Sequence, residues 1–277
     1  MVSFTFRNGS LFSTPVNYGG IYSVIMAGYY HRIIDSLTKD DAVLDGWANI
    51  GAFTFAVFKK VKKVVAVEAN ENNFKILTEN IKRNNMVNVI PIYAALTDSP
   101  GEVKFEGEGE VGHISTQGTN VKTTTIDEIE SDLGIRFDAL KIDIEGSEPA
   151  AIMGGARDAL KHISKLTYEN DRRQLQKVKE HLTNYSEYDY EKLYNYLKQC
   201  GFRLDVEEPD KRRYKLLKEN IKKGNITARE IMSNEALHGF WYLRKTISPP
   251  FSKSVKESDG LSYSSNNLRI EMVYASK

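Results

Sequence analysis

The sequence contains a single cysteine, Cys200, so no disulfide bond can form within one chain. It also lacks a long hydrophobic run: the most apolar early stretch, residues 21–30, is interrupted by Ser23 and is too short to cross a bilayer. The N-terminal segment MVSFTFRNGSLF has neither the basic part nor the apolar part of a signal peptide. We therefore expect a cytoplasmic protein without a membrane span, in which Cys200 is a small buried hydrophobic residue.

An excess of charge of either sign is lacking as well. The 38 basic and 37 acidic residues leave a formal net charge of +1, so no global field favours nucleic acid or membranes. Of the 277 residues 41% are hydrophobic and 27% are charged, which is typical of a globular protein. One local exception is residues 211–223, a basic segment inside a predicted helical insertion at 209–237. Such a segment is most often a solvated helix face.

The stretch from Asp41 to Asn70 is typical of a βαβ unit. It contains a short apolar strand ending at Asp45, a turn from Gly46 to Gly51, a helix to about residue 60, and a second strand that closes on Glu68. Glu68 follows Asp45 at close to the roughly twenty-residue offset at which an acid meets ribose hydroxyls. The spacing predicts an adenosine-containing ligand. The glycines alone would also fit an ordinary strand-turn-helix corner, since they do not form G-x-G-x-x-G.

The remaining elements predict an α/β fold with a mostly parallel central sheet, an antiparallel last strand and helices on both faces. We expect a hairpin and helix cap over residues 1–40, a main domain over 41–247, and a tail over 248–277 that is partly mobile and ends in a strand at 268–274. The predicted strands after Glu68 are 87–95, 137–144, 163–169, 202–206 and 240–244, the last two forming an antiparallel pair. The predicted helices begin at Asn70 and span 126–133, 150–161 and 188–199, and the glycine-rich segment 103–125 is predicted to be a hairpin that replaces a crossover helix.

Five stretches in this order resemble the FkbM family of S-adenosylmethionine-dependent methyltransferases, within the Rossmann-like class I methyltransferases. They are VLDGWANIGAF (43–53), VVAVEANENNFKILTENIKRNN (64–85), VIPIYAALTDSPGEV (89–103), TTTIDEI (123–129) and LKIDIEGSEPAAIMGGA (140–156). The resemblance implies S-adenosyl-L-methionine as cofactor, with the turn at the methionine end, Glu68 at the ribose, and Asp98 or the backbone near Ala95 at the adenine. The cofactor-binding residues that it implies are Asp45, Gly46, Ala48, Asn49, Gly51, Glu68, Ala69, Ala95, Asp98 and Asp143.

The residues also support a mechanism. Methyl transfer to a hydroxyl needs an acceptor held in line and a group that takes its proton. Asp143, Glu145 and Glu169 lie at the ends of two predicted neighbouring strands, so we expect Asp143 at the cofactor's positive end and Glu145 or Glu169 as the base. Two alternatives stay open: Glu145 and Glu148 as acids that stabilise a helix start, and a divalent cation shared by Asp143, Glu145 and Glu169.

The sequence therefore predicts an O-methyltransferase acting on a small-molecule hydroxyl, such as a sugar or a natural product. One alternative is an RNA or protein methyltransferase that uses the basic segment 211–223, although no Asn-Pro-Pro-Tyr-like segment follows the fourth strand. Another is a non-catalytic nucleoside-binding protein, because the family turn Asp-x-Gly-Ala-Asn-x-Gly has Trp47 in place of its first glycine. Either Gly46 absorbs the unusual backbone angles while Trp47 packs elsewhere, or the pocket is partly occupied. A homo-oligomer is compatible with all three.

Overall fold

The computed structural model describes residues 2–5, 11–14, 30–107, 112–181, 185–207 and 271–277. The predicted helical insertion at 209–237, the strand at 240–244 and the tail segment 248–266 lie outside these residues. Strands β1 (Val2–Thr5) and β2 (Leu11–Thr14) pair antiparallel with Val2 opposite Thr14, which confirms the predicted N-terminal hairpin. Helix α1 (His31–Ser36) is the described part of the helix expected before the main domain.

The predicted βαβ unit is present. It consists of strand β3 (Ala42–Gly46), helix α2 (Ala52–Val57) and strand β4 (Lys63–Glu68). The two strands run parallel, with Ala42 opposite Lys63, and every residue of β3 is buried. A short apolar strand covered on both faces needs such a crossover helix to return the chain to the same edge of the sheet.

Helix α3 (Glu71–Arg83) follows directly, because the Asn70 side chain accepts hydrogen bonds from the backbone N–H groups of Asn72 and Asn73 at its start. The predicted third strand is divided in two, β5 (Val89–Tyr93) and β6 (Ala95–Leu96). Strand β6 leaves the main sheet and pairs with a second, smaller sheet. This division places Ala95 and Leu96 at the junction between the two sheets.

The glycine-rich segment forms the small sheet from strands β7 (Gly101–Glu106), β8 (His113–Ser115) and β9 (Thr119–Thr124), in the order β6-β9-β7-β8. Helix α4 (Ile126–Leu133) then crosses back to the main sheet, and the Thr125 hydroxyl caps it by accepting from the N–H of Glu128. The β structure is therefore added before the crossover helix. The helix predicted at 126–133 is confirmed, and the predicted hairpin is found as antiparallel β structure that precedes this helix and does not take its place.

Strand β10 (Ala139–Ile142) leads into helix α5 (Glu148–Met153), and a short 3-10 helix follows at Ala159–Lys161. The prediction of one continuous helix over 150–161 is wrong: the helix ends with Gly154 as its C-cap, and two glycines there pack closely against other parts of the chain. A Cβ on Gly154 would lie 2.5 Å from Asp98 Cβ, and one on Gly155 would lie 2.3 Å from the Thr97 carbonyl oxygen. The glycines thus bring this helix end against the loop after β6.

Strand β11 (Lys165–Asn170) is followed by helix α6 (Arg172–His181), which was not predicted, and by helix α7 (Tyr190–Gln199). With strands β12 (Arg203–Glu207) and β13 (Glu271–Ser276), the main sheet has seven strands among the described residues, in the order β12-β13-β11-β10-β3-β4-β5. Strand β13 runs antiparallel between β11 and β12. Strand β13 is therefore the antiparallel partner of β12 within the described residues, and the pairing predicted with residues 240–244 stays a prediction because those residues lie outside them.

Alternating residues of the central strands divide the core between the two faces of the sheet. Leu44, Val65 and Leu140 pack in one hydrophobic cluster, whereas their neighbours Val43, Val64 and Ala139 pack in the other. The carboxyl ends of β3, β4, β10 and β11 meet at one edge of the sheet, where ligands bind in open α/β sheets. No helix in the described ranges is both long enough and apolar enough to span a membrane.

Candidate active site

The turn after β3 has an unusual backbone. Trp47 and Asn49 adopt the left-handed conformation, with φ angles of +62° and +53°, and Gly51 has φ +97°. Gly46 does not share this conformation, and it is required for a different reason: a Cβ there would lie 2.8 Å from Leu96 Cδ1. Trp47 itself therefore carries a backbone strain that glycine would avoid. This removes the alternative in which Gly46 absorbs the unusual angles.

Lys141, on the neighbouring strand β10, binds the backbone of this turn. Its side chain is 4% exposed, and its Nζ donates to the carbonyl oxygens of Gly46 and Trp47 at 3.0 and 2.8 Å. Nζ also lies 3.3 Å from Asp45 Oδ1. That oxygen has no hydrogen-bond partner among the described residues, so the contact with the lysine is an ion pair whose N–H groups point to the two carbonyls.

Asp45 joins the end of β3 to helix α2. Its Oδ2 accepts from the backbone N and the hydroxyl of Thr54, at 3.1 and 2.6 Å, and the residue is fully buried. Burial raises the pKa of Asp45, and the charge of Lys141 opposes that rise. We therefore assign Asp45 a positioning role, since it is surrounded by protein groups and fixes the turn to the helix.

Glu68 ends strand β4 and faces the same turn. Its two carboxylate oxygens accept from the backbone N–H groups of Asn49 and Asn70, both at 2.7 Å, and the residue is 1% exposed. Burial raises its pKa to about 7, although the two hydrogen bonds favour the charged form. The Asn73 side chain is a third donor, so of the roughly four lone-pair positions of the carboxylate one is left to accept from a hydroxyl. The geometry is compatible with the predicted ribose contact.

A small cavity is lined by Val67 and Ala69, the chain neighbours of Glu68. Its volume is about 10 Å³, room for about one water molecule. Trp47 packs over it, with its ring centroid 5.5 Å from that of Phe105. Two of the residues predicted to bind the cofactor, Ala69 and Ala95, line this cavity, whereas Asp98 does not. The remaining lining residues are Ala94, Leu96, Phe105, Ile114, Ile144 and Ser147.

Asp98 lies instead on the side of helices α5 and α7. Its carboxylate accepts a hydrogen bond of 3.0 Å from the Tyr188 hydroxyl, and its Cβ lies against Gly154. The structure thus separates Asp98 from the other residues predicted to hold the cofactor. Its role as an adenine contact stays a prediction.

The three carboxylates predicted for catalysis come together at the ends of β10 and β11. One oxygen from each of Asp143, Glu145 and Glu169 lies within 4.8 Å of the others. The Tyr30 hydroxyl donates to Asp143, and Gln174 Nε2 donates to Glu145 at 2.7 Å. Burial raises the pKa of Glu145 well above its usual value, and the nearby carboxylates of Asp143, Glu148 and Asp171 raise it further.

Glu148 holds the loop that carries this cluster. It is fully buried and accepts from the backbone N–H groups of Ile144 and Gly146, at 2.7 and 3.0 Å, and from the Tyr190 hydroxyl. Burial raises its pKa to about 7. Its hydrogen-bond partners lie in the loop before it and on helix α7, so its main role is to fix this loop. A favourable interaction with the start of its own helix is a smaller part of that role.

A comparison with protein families identifies the chain. The model of the methyltransferase FkbM domain matches residues 45–204, more than half of the sequence. The chain belongs to the FkbM methyltransferase family. The matched region contains the turn, Glu68, the cavity and the carboxylate cluster. The resemblance inferred from the five sequence stretches is confirmed, and FkbM membership implies S-adenosylmethionine as the cofactor.

Comparisons with individual proteins give further similarities, each with its own share of the two chains covered. A solved FkbM methyltransferase from Methylobacillus flagellatus KT is 18% identical, covers 71% of this chain and 52% of that chain, and has a TM-score of 0.47. A tRNA(Phe) (4-demethylwyosine(37)-C(7)) aminocarboxypropyltransferase from Methanocaldococcus jannaschii is 45% identical over 58 residues, 20% of this chain. A tRNA (guanine(37)-N(1))-methyltransferase from the same organism is 33% identical over 72 residues, 26% of this chain. The chain spans between a fifth and a quarter of the length of these two curated relatives.

The chemical types of the residues at this site of the FkbM chain suit an adenosine. An acid stands at the end of the second strand of the βαβ unit, an apolar wall lies beside it, and the Ser147 hydroxyl on that wall is buried without a hydrogen-bond partner among the described residues. An orphaned buried hydroxyl is rare in native proteins and suggests that its partner is a ligand. Glu68, the turn and the wall would therefore hold the nucleoside.

The residues of this site that were not singled out from the sequence include Tyr30, Phe105, Lys141, Ser147 and Gln174. Of these, Lys141 carried a usable signal, because a lysine inside the apolar run of strand β10 must find partners when it is buried. Tyr30 reaches Asp143 across 113 positions, and no local pattern predicts such a contact.

Proposed function

We propose that the chain transfers a methyl group from S-adenosylmethionine to the hydroxyl of a small molecule, such as a sugar or a natural product. Family membership supports methyl transfer. The observation that supports a hydroxyl acceptor is the cluster of Asp143, Glu145 and Glu169 at the strand ends. A hydroxyl is a weak nucleophile near neutral pH, so a base beside it is the group that the reaction needs.

The bound cofactor supplies a methyl group on a positively charged sulfur, which is open to direct displacement. The acceptor oxygen would bond to the methyl carbon as the carbon–sulfur bond breaks and S-adenosylhomocysteine leaves, and the acceptor's proton would pass to Glu145 or Glu169. Glu145 suits this role because a raised pKa makes a carboxylate a stronger base. Asp143, held by Tyr30, places a negative charge beside the reacting atoms. Gln174 orients Glu145 through its hydrogen bond.

Glu145→Gln and Glu169→Gln test these roles. Each change keeps the shape of the side chain and removes the base. We expect turnover with a hydroxyl acceptor to fall by about a hundredfold or more for the residue that is the base, while the affinity for S-adenosylhomocysteine measured by calorimetry changes little. Glu191→Gln, at an exposed site on α7, is the control. Unchanged turnover in both variants would exclude these two residues as bases.

RNA is the second candidate acceptor, because both curated relatives are named for reactions at tRNA. A transfer assay with tritiated S-adenosylmethionine can separate the possibilities. Label that mass spectrometry locates on a hydroxyl oxygen of a small-molecule acceptor supports our proposal, whereas label in tRNA supports the alternative. Cofactor binding without transfer to either acceptor would support the non-catalytic interpretation.

A further inference from the structure

Trp47 occupies the place where a nucleobase would be expected. A ribose held by Glu68 leaves its base on the neighbouring apolar wall, since Ala69 follows Glu68 directly and Ala95 ends the next strand. Trp47 packs against the cluster that contains Ala69, Ala95 and Phe105. The remaining volume of about 10 Å³ is far below the roughly 300 Å³ or more of ordinary ligand sites.

The backbone of the turn explains why the indole is there. In the left-handed conformation of Trp47, the Cβ vector differs from that of an ordinary residue, and glycine is the residue that adopts this conformation without strain. The carbonyl groups on either side of the Trp47 Cα, those of Gly46 and Trp47, both accept hydrogen bonds from Lys141. Lys141 thus fixes the backbone at Trp47, and the conformational freedom that remains to this residue lies mainly in its side-chain torsions.

Ser147 provides an independent observation. The residue is 1% exposed, it lines the same cavity, and its hydroxyl oxygen lacks a hydrogen-bond partner within the described part of the chain. A buried hydroxyl without a partner is unfavourable. The indole packed over the cavity has a single polar group, which is a donor only, whereas adenine presents both donors and acceptors along its edge.

We propose that Trp47 is a gate over the base site: its indole stands where the adenine of S-adenosylmethionine binds, it leaves when the cofactor enters, and the Ser147 hydroxyl then bonds to the base. Indole and adenine are both flat, fused two-ring systems, so one can replace the other on the same wall. The apparent affinity of such a site equals its intrinsic affinity multiplied by the fraction of molecules in which the gate is open. The inference rests on the cofactor of the proposed function and concerns binding alone.

Calorimetry with S-adenosylhomocysteine tests the gate. Trp47→Gly and Trp47→Ala both remove the indole, and glycine alone also relieves the left-handed backbone. We expect both variants to bind about tenfold tighter or more than the wild type, with Trp47→Phe between them and the wild type. Thermal unfolding with and without ligand shows that each variant is folded. Equal or weaker binding by both folded variants would overturn the proposal, because the indole would then be a contact and not a gate.

Fluorescence gives a readout independent of affinity. The chain has two tryptophans, so Trp241→Phe leaves Trp47 as the sole emitter. S-adenosylhomocysteine should shift its emission to longer wavelength as the indole moves into water. An unchanged spectrum at a ligand concentration that saturates the calorimetric signal would refute the movement.

Ser147→Ala completes the test. In the Trp47→Gly background we expect it to weaken binding of S-adenosylhomocysteine by about tenfold, whereas Ser164→Ala, at the opposite end of the sheet, should not. No loss on Ser147→Ala would remove this residue from the proposal. Ligand binding with the expected Trp47 response but without methyl transfer would leave the gate intact and refute the methyltransferase proposal, so the two failures are distinguishable.

Discussion

Lys141→Met is the substitution whose effect the structure defines best. The change keeps an unbranched side chain, one atom shorter, and removes a cation that lies 3.3 Å from Asp45, with both side chains at most 4% exposed. Removing one partner of a buried ion pair leaves a buried charge without compensation, which typically costs about 3–5 kcal/mol of unfolding free energy. We expect a loss of this size in urea unfolding followed by circular dichroism.

The pH dependence gives a second signature of the same pair. Burial already raises the pKa of Asp45, and Lys141 is the cation that opposes the rise. Without Lys141 the pKa of Asp45 rises further, so the folded state takes up a proton more readily than the unfolded state. Stability from such a group is present at low pH and is lost as the pH rises through the folded pKa. The cost of Lys141→Met should therefore be larger in alkaline than in acidic buffer.

Two further variants refine the test. Adding Asp45→Asn to Lys141→Met removes the stranded charge, so the double variant should recover most of the loss and keep about 1–3 kcal/mol from the carbonyls that lack a donor. Lys165→Met is the matched control, because the Lys165–Asp41 pair is 2.6 Å long but its lysine is 19% exposed, and we expect about 1 kcal/mol. A loss below about 1 kcal/mol for Lys141→Met, or no recovery in the double variant, would refute the reasoning.

Three other predictions concern the loop that carries the carboxylates. The pKa of Glu148 is raised from 4.5 to about 7, so its stabilising contribution is present below pH 4.5 and is lost as the pH rises through about 7. Glu148→Gln should therefore flatten the decline of the unfolding free energy in this window by about 1.4 kcal/mol per pH unit. An unchanged slope in urea unfolding would contradict this prediction. Gly146→Ala should cost about 3 kcal/mol or more of unfolding free energy, because a Cβ at φ +98° would lie 2.4 Å from the backbone of helix α6. The control Gly134→Ala, at φ +60° in open space, should cost about 1 kcal/mol. Equal losses of stability in thermal unfolding would refute the steric argument. Tyr30→Phe removes the donor to Asp143 and should lower stability by about 1.5–3 kcal/mol, which thermal unfolding would contradict if the melting temperature did not change.

The parts of the fold that the sequence predicted correctly depend on local interactions. The βαβ unit follows from two short apolar strands and a turn, and the caps of α3 and α4 act within three residues of Asn70 and Thr125. Helix α6 was missed because its core contact rests on few residues, with Leu175 and Val178 buried in a mostly polar segment. The helix break at Gly154 depends on Thr97 and Asp98, more than fifty positions earlier, and no helical pattern reveals such neighbours.

The candidate site divides in the same way. Asp143, Glu145 and Glu169 could be placed together from the sequence, because parallel strands carry their carboxyl ends to one edge of the sheet. Asp98 could not be placed, since β6 still lines the cavity but the chain after it carries the Asp98 side chain to Tyr188. The position of β13 between β11 and β12 was equally hidden, because strand pairing depends on contacts distant in the chain.

By itself, the sequence determined the family, the order of the elements and the edge of the sheet where chemistry is expected, because these depend on periodicity, turn residues and local spacing. It also marked Trp47 as a departure from the family turn without deciding its consequence. Only the tertiary structure decided that the indole packs over the wall beside Glu68 while Lys141 fixes the backbone beneath it. The physical reason is that a side chain's position depends on the packing of Phe105, Ala69 and Ala95 around it, and these residues come from three separate parts of the chain.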